Sequence, residues 1–388
     1  MNRHQRIILL AGMLVTLVLG SIHSFSVFLV PFEKQLSVGR AQVSLLYSFA
    51  LIFLTVSVLF GYLIYNRIRP GGMIVFSCLL AATGLLVSTV ANSWWLLWFG
   101  YSVLFGSANG IGYGYVLQLV GKAAAERKGF AMAAVTAAYA VGSVVFSLLL
   151  AHLVSNYSTV VALSTMAGII ILAGFVAALT LVRAGARYTE APSSEPVGRA
   201  DQAGSIGLWW LAYGCSVFAG LMAIGHAAGI VQSLGGAYED SIWGAVWIGV
   251  GSATGGFIVG TVINAEKVSA FLLGLPLLSA LSLVALAFVS SPSVAVMVLT
   301  TIGFAYGALI AVYPFAIAIN FGDLNGPKVY GRVFTAWGFA GLAGPWCAGR
   351  LFDFSGSYGL ALFIASAIAF GSSVFYGVIC NKLQRPAA

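Results

Sequence analysis

Uninterrupted apolar runs of twenty residues or more recur along the whole chain, and they constrain its fold more than any other feature. The run that follows Arg6 continues to Pro31 without an Asp, Glu, Lys or Arg. About 20 apolar residues cross the hydrocarbon core of a bilayer as an α-helix. The runs lack the two-residue alternation of membrane barrel strands. The sequence therefore predicts an all-α membrane protein.

The composition agrees with burial in lipid. Of the 388 residues, 60% are hydrophobic and only 7% are charged, whereas a soluble domain carries about 25% charged residues. The first run is too long for the core of a signal peptide and is interpreted as a helix that spans the membrane. With short connections, the chain has room for twelve spans, which we place near residues 7–30, 41–65, 72–91, 94–120, 129–154, 157–182, 206–234, 241–263, 268–289, 293–320, 329–351 and 358–380.

The distribution of basic residues predicts the orientation. With the N-terminus inside, fifteen of the 18 Lys and Arg residues lie on the cytoplasmic side, and only Lys34, Arg40 and Arg350 lie outside. Positive residues concentrate in cytoplasmic loops. We therefore expect a multi-pass protein of the cell (inner) membrane with both termini in the cytoplasm. The net charge of +8 is interpreted as this orientation signal, and no nucleic-acid partner is expected.

One polar stretch divides the spans into two sets of six. Residues 183–205 are rich in Pro, Ser, Gly and charges, a composition that suits a flexible linker. The predicted domains are an N-terminal six-helix bundle at 1–182, a cytoplasmic linker at 183–205 and a C-terminal six-helix bundle at 206–388.

The two halves also resemble each other at an offset of about 200 residues. Gly129 precedes Gly142 by thirteen residues, and Gly331 precedes Gly344 by the same interval. Such a duplication is typical of transporters whose halves rock around a central binding site.

Four segments resemble one transporter family, the first of them closely. They are SFSVFLVPFEKQLSVGRAQVSLLYSF from Ser24, RKGFAMAAVTAAYAVG from Arg127, YPFAIAINFGDLNGPKVYGRVFTAWGFAGLAGP from Tyr313, and LFDFSGSYG from Leu351. These segments resemble the monocarboxylate and oxalate–formate branch of the major facilitator superfamily. The resemblance implies twelve helices in two pseudo-symmetric bundles. It also implies transport of small organic anions by alternating access, with a proton or by exchange.

The connections after the second and eighth helices carry the loop motif that the resemblance implies for conformational change. The first reads GYLIYNR and the second GTVINAEK, and Asn66 stands where the superfamily prefers Asp. The residues assigned to this motif are Gly61, Asn66, Arg67, Gly260 and Asn264.

Two positions depart from the branch where they bear on the substrate. The eighth helix reads Gly255-Gly256 where the family has a Gly-Arg pair, and Trp337 stands where oxalate-type members have a lysine. These departures argue against a dianion and leave a monoanion as the expected substrate.

Histidine is the ionisable residue that remains inside the spans. Every Asp and Glu lies in a loop or at a helix end, and transporters keep buried ions only where they function. His23 and His226 are 203 residues apart, close to the offset between the halves. Because imidazole can hold an anion and a proton together, both are predicted to bind substrate and to couple protons. The alternative, that each is a neutral packing histidine, stays open.

Aromatic and amide groups complete the predicted binding site. Asn109 and Tyr113 share one face of the fourth helix, and the family resemblance adds Tyr139, Tyr306 and Trp337 as aromatic binding positions. Packing without a ligand is the alternative for each aromatic residue. No cofactor and no metal site are expected, because the cysteines show no metal-ligand spacing.

The leading hypothesis is a secondary active transporter of a small organic anion, a monocarboxylate in particular, with proton coupling left open. An exporter of a neutral or amphipathic molecule is the alternative within transport, and a transporter-like membrane sensor without turnover is the alternative from another class. An enzyme is not expected, because no nucleophile–base pair is visible. The expected partners are the small-molecule substrate, H+ if transport is coupled, and the lipid bilayer, with the protein as a monomer.

Overall fold

The computed structural model describes residues 1–124, 127–188 and 200–383, and this part of the chain contains helices and turns but no β-strand. The expected all-α class is confirmed. The helices are α1 (Arg3–Leu19), α2 (Leu29–Leu36), α3 (Arg40–Phe60), α4 (Tyr62–Tyr65), α5 (Pro70–Thr89), α6 (Trp94–Leu97), α7 (Gly106–Ala123), α8 (Lys128–Asn156), α9 (Thr159–Arg183), α10 (Ala200–Ser233), α11 (Tyr238–Val262), α12 (Val268–Ala287), α13 (Pro292–Ser355) and α14 (Gly359–Leu383).

Ten helical segments of the described residues are long and apolar enough to cross a membrane, from Arg3–Val27 to Gly359–Gly377. Two of the twelve predicted spans, 94–120 and 329–351, are not among these ten. Both lie in helical structure, but neither forms a separate regular helix.

The span predicted at 94–120 is divided into three parts. The short α6 is followed by a π-helical segment, Trp98–Phe105, and then by α7. In this segment Gly100 lies against α5, where a Cβ on Gly100 would be 2.6 Å from the carbonyl oxygen of Gly84. Helix packing this close leaves no room for a side chain, and π-helical turns are frequent at functional sites.

The span predicted at 329–351 belongs to α13, which also contains the span predicted at 293–320. Tyr306 and Trp337 would be about 46 Å apart in a straight helix at 1.5 Å per residue. Their side chains nevertheless form a hydrogen bond of 2.9 Å. The chain therefore reverses direction between these two residues, as the two predicted spans require.

The first predicted span is also irregular. After α1 the backbone tightens into a 3₁₀ segment, Gly20–Val27, before α2 begins. The N-terminus of α1 is closed by a capping box, in which the Asn2 and Gln5 side chains each accept a hydrogen bond from the other residue's backbone N–H. A 3₁₀ stretch inside a longer helix often marks a hinge or a functional position.

The chain divides into two compact units, Met1–Ala191 and Pro192–Ala388. In the first unit α5 packs against α9, α3 against α7 and α1 against α8. In the second unit α13 packs against α10 and α11, and α14 against α10 and α12.

The division falls inside the stretch predicted as a linker, 183–205. Residues 189–199 of that stretch lie outside the described part. Helix α10 begins at Ala200, six residues before the span start predicted at 206. The end of the predicted linker is therefore helical.

Candidate functional site

Four of the seven predicted binding residues lie together in the first unit. The imidazole of His23 meets the Tyr139 ring edge-on, with centroids 5.4 Å apart. Tyr139 donates a hydrogen bond of 2.9 Å from its hydroxyl to Oδ1 of Asn109, and its ring lies 4.8 Å from the Tyr113 ring. These four residues and Tyr47 are called the His23 cluster below.

A close helix crossing places His23 beside Tyr139. A Cβ on Gly20, at the start of the 3₁₀ segment, would be 1.9 Å from the carbonyl oxygen of Tyr139 in α8. A Cβ on Gly142, one turn later in α8, would be 1.9 Å from the carbonyl oxygen of Leu17. Glycine at both positions lets the two backbones touch, so the crossing fixes where the imidazole stands.

Tyr47 belongs to the site although the sequence analysis did not predict it. Its hydroxyl oxygen is 2.6 Å from Nδ1 of His23. The phenol is fully buried and is stacked on Phe25, with centroids 5.2 Å apart and ring planes 8° apart. Tyr47 lies in a segment that carries the family resemblance, but no spacing rule links it to a residue 24 positions earlier in another helix. Only the packing of α3 reveals the contact.

Asn109 carries a donor that the protein itself leaves without a partner. Its side chain is fully buried, Oδ1 accepts from Tyr139, and Nδ2 has no hydrogen-bond partner. An unsatisfied buried donor costs about 1–3 kcal/mol, so such groups are usually completed by a ligand or by water. The amide therefore supplies the cluster with a free N–H donor.

Tyr113 is held by a neighbour on α8. Its hydroxyl is 3.2 Å from Oγ1 of Thr136, which itself donates to the carbonyl oxygen of Met132. Because the Thr136 proton is used within α8, the Tyr113 hydroxyl is the donor in the contact between them. The phenol is thereby fixed in orientation on the Tyr139 side of α7.

In the second unit the structure brings Tyr306 and Trp337 together. Trp337 donates from Nε1 to the Tyr306 hydroxyl at 2.9 Å, and its ring is stacked on Phe334 with centroids 5.4 Å apart. A Cβ on Gly220 of α10 would be 2.4 Å from the Tyr306 ring. Both predicted aromatic residues are buried and form one hydrogen-bonded pair.

His226 lies in a different setting from His23. It is fully buried in α10, with Nε2 at 2.7 Å from the carbonyl oxygen of Pro345 and Nδ1 at 2.9 Å from the Tyr358 hydroxyl. A carbonyl oxygen only accepts, so Nε2 carries a proton, and Nδ1 of a neutral ring accepts from Tyr358. Both nitrogens are satisfied by the protein, which is the arrangement of a packing histidine.

The loop residues of the first unit surround the end of α3. Gly61 is the C-terminal cap of α3, and a Cβ there would be 2.2 Å from the Tyr65 hydroxyl. Asn66 and Arg67 follow in the turn before α5, and both are exposed.

The corresponding residues of the second unit have more room. Gly260 is exposed near the end of α11, and the nearest atom to a Cβ there is on Ala311, at 3.7 Å. Asn264 accepts a hydrogen bond of 2.9 Å from the Lys267 backbone N–H through Oδ1 and so supports the turn before α12.

Fixed charge and metal ligands are scarce in the described part of the chain. It contains no group of three His, Cys, Asp or Glu side chains that could hold a metal ion. An ion pair joins Arg40 to Glu33 at 2.5 Å, between α2 and α3. The His23 cluster itself contains imidazole, phenol and amide groups and no carboxylate.

The pattern of the Major Facilitator Superfamily matches residues 8–345. Among curated proteins, the chain is 24% identical over 352 residues to YhjX of Escherichia coli strain K12, an uncharacterized MFS-type transporter. The match covers 87% of this chain and 86% of that protein.

Two solved structures share the fold. One is a bacterial homolog of the human lysosomal transporter Spinster in an inward-facing, occupied conformation, with a TM-score of 0.71, 16% identity and full coverage of both chains. The other is the human organic anion transporter MFSD10, with a TM-score of 0.69, 16% identity, and coverage of 97% of this chain and 100% of that one. At this identity the likeness concerns the fold alone.

Proposed function

Because the chain belongs to the Major Facilitator Superfamily and is a multi-pass membrane transporter, we propose that it carries a small organic anion, a monocarboxylate, bound at the His23 cluster. The monocarboxylate and oxalate–formate branch of the family is part of this proposal. So are a cytoplasmic location of both termini, which the distribution of Lys and Arg favours, and a monomeric carrier that works by alternating access.

One observation carries the choice of an anion. The cluster combines the His23 imidazole with a buried Asn109 Nδ2 that has no partner, and we propose that both groups donate hydrogen bonds to the carboxylate of the substrate. The phenol of Tyr139 is bonded to the other end of the same amide. A site that offers N–H donors and contains no carboxylate favours anions over cations.

The number of titratable groups favours a single negative charge. One imidazolium balances one carboxylate, whereas a second buried charge would stay unmatched and would cost several kcal/mol or more in the membrane. His23 is the titratable base of the cluster, so a monoanion fits better than a dianion.

Proton coupling follows from the same residue. Imidazole takes up a proton near neutral pH, and the protonated ring together with a carboxylate is neutral overall. Burying this neutral pair in the low-dielectric interior costs less free energy than burying the carboxylate ion alone. We therefore propose His23 as the proton-coupling residue, and His226 is not included because the protein already satisfies both of its nitrogens.

Export of a neutral or amphipathic molecule is the second candidate. Two features of the second unit favour export. Both ring nitrogens of His226 are hydrogen-bonded within the protein, and Tyr306 and Trp337 form an aromatic pair, so neither offers a positive charge to a substrate. The loop motif at Gly61 and Gly260 fits both candidates, since it concerns conformational change and not substrate chemistry.

Uptake into proteoliposomes separates the two. Radiolabelled short-chain monocarboxylates should accumulate, and an inward proton gradient should increase their initial rate. Uptake that depends neither on a carboxylate group in the substrate nor on the proton gradient would refute the proposal and favour the exporter.

A further inference from the structure

A groove of about 840 Å³ lies between α11 and the first part of α13, and all the residues that line it belong to the second unit. On α11 the lining residues are Asp240, Trp243, Trp247, Gly251 and Thr254. They follow one another at the three- and four-residue intervals of a single helix face, which is about 21 Å long. The groove therefore has room for a small molecule with an extended apolar part.

The floor of the groove is helix backbone, which cannot rotate to close it. A Cβ on Gly251 would be 2.1 Å from the carbonyl oxygen of Thr300, and a Cβ on Gly255 would be 2.1 Å from that of Phe304. Backbones this close leave no side chain between the two helices. Because the two contacts advance in the same direction along both helices, α11 and this part of α13 run parallel. The beginnings of both helices therefore lie at the same end of the groove.

This end of the groove is polar and negatively charged. Asp240 and Ser293 line it near the beginnings of α11 and α13, and both are exposed. Of the described residues that line the groove, Asp240 alone has a charged side chain. It directly precedes the span predicted at 241–263, so we expect this end of the groove at the boundary between membrane and water.

Two indoles and a thioether line the apolar part. Trp243 is 48% exposed, Trp247 is 44% exposed and Met297 is 69% exposed, so part of each side chain is accessible to a ligand. The face of an indole attracts a cation. Trp243 follows Asp240 by three residues and shares its helix face. The indole and the carboxylate thus offer two favourable partners to one positively charged nitrogen.

The threonines of the groove also favour a ligand that donates hydrogen bonds. The hydroxyls of Thr254, Thr300 and Thr301 each donate to a backbone carbonyl oxygen of their own helix, at 2.8 to 3.3 Å. Because the proton of each hydroxyl is used there, its oxygen can only accept from a ligand. The side-chain donors that remain are the two indole N–H groups and the Ser293 hydroxyl. Acceptors therefore outnumber donors, which suits an ammonium group better than an anion.

We propose that this groove binds an organic ammonium ion with an apolar chain, its nitrogen at Asp240 and its chain along Trp243 and Trp247. The carboxylate and the hydroxyl oxygens select positive charge, whereas the N–H donors of the His23 cluster favour an anion. The groove is thus a second binding site of opposite charge preference. It does not depend on which substrate the carrier transports, because none of its lining residues belongs to the His23 cluster.

The probe for this site is n-octylammonium, and n-octanol, with the same chain and no charge, is its matched neutral control. Isothermal titration of both into the full chain in lipid nanodiscs measures the affinities. Asp240→Asn should lower the affinity for n-octylammonium about tenfold, because a charge-assisted hydrogen bond is lost, and should leave the weaker binding of n-octanol unchanged. Asp353→Asn removes an exposed carboxylate outside the groove and should bind n-octylammonium as wild type does.

Trp247→Ala tests the apolar part of the same site. Loss of this indole should lower the affinity for both probes, because both carry the chain that lies along it. Wild-type affinity for n-octylammonium in Asp240→Asn or in Trp247→Ala would overturn the proposal. So would equal affinity of the wild-type protein for the two probes, or a loss in Asp353→Asn as large as that in Asp240→Asn.

Discussion

His23 Nδ1 and the hydroxyl oxygen of Tyr47 lie 2.6 Å apart, and this contact joins the 3₁₀ segment of the first span to α3. The rigid stacking of Tyr47 on Phe25 holds the phenol in place, so the imidazole can keep only a narrow range of orientations. An ionisable group held this way presents the same atoms to each substrate that arrives.

Tyr47→Phe should weaken carboxylate binding about five- to tenfold, because the lost hydrogen bond to His23 is worth about 1–1.5 kcal/mol. The stacking on Phe25 should survive. Affinity measured by isothermal titration on the purified protein checks this. Tyr101→Phe is the control, because Tyr101 also contacts Phe25 but its hydroxyl has no partner. Equal effects of the two variants would show that Tyr47 acts through packing alone.

The double variant Asn109→Leu, Tyr139→Phe should lose carboxylate affinity while the protein keeps its thermal stability. Removing both partners of a buried hydrogen bond together is nearly neutral for folding, and the unsatisfied Nδ2 disappears as well. We expect a melting temperature within a few degrees of wild type and carboxylate affinity reduced about tenfold or more. Thermal unfolding and ligand titration measure the two effects. Retained affinity in the double variant would show that the amide does not touch the substrate.

Gly142→Ala should prevent correct packing of α8 on the first span. Its Cβ would be 1.9 Å from a backbone oxygen, and a backbone atom cannot rotate away as a flexible side chain can. We expect most of the protein to be lost as aggregate when it is followed by fluorescence-detected size exclusion. Gly168→Ala in α9, where a Cβ meets nothing within 4 Å, should behave as wild type. A monodisperse Gly142→Ala protein would contradict the close crossing of α8 and the first span.

His226→Ala should reduce stability rather than alter the pH dependence of transport. The change removes two buried hydrogen bonds and leaves a cavity, at a cost of about 2–4 kcal/mol. Thermal unfolding should therefore occur at a clearly lower temperature, while the pH profile of uptake keeps its shape. A stable variant whose pH profile is flat would instead make His226 a coupling residue.

The sequence predicts the fold well because membrane spans follow from local composition. Runs such as 72–91 and 157–182 correspond closely to α5 and α9. The breaks within spans were not predictable: the π-helical segment at Trp98–Phe105 and the 3₁₀ segment at Gly20–Val27 depend on which backbone packs against each glycine. Hydropathy does not contain this information.

The candidate site was predicted in part for the same reason. A polar residue inside an apolar run stands out, so His23, Asn109 and His226 could be selected from the sequence alone. Their partners could not, because Tyr47 and Tyr358 are two of sixteen tyrosines. Internal symmetry could not predict that His23 and His226 have different hydrogen-bond partners. Residues at equivalent positions of the two halves need not have the same neighbours.

The central claim is that one imidazole, that of His23, holds the carboxylate of the substrate. Binding of short-chain monocarboxylates and of their neutral amides to wild type, His23→Gln and His226→Gln, at about pH 5.5 and about pH 7.5, tests it most directly. We predict that wild type and His226→Gln bind the monocarboxylates, more tightly at the lower pH, and do not bind the neutral amides. His23→Gln should lose both the affinity and its pH dependence. Wild-type acid binding and pH dependence in His23→Gln would contradict the claim.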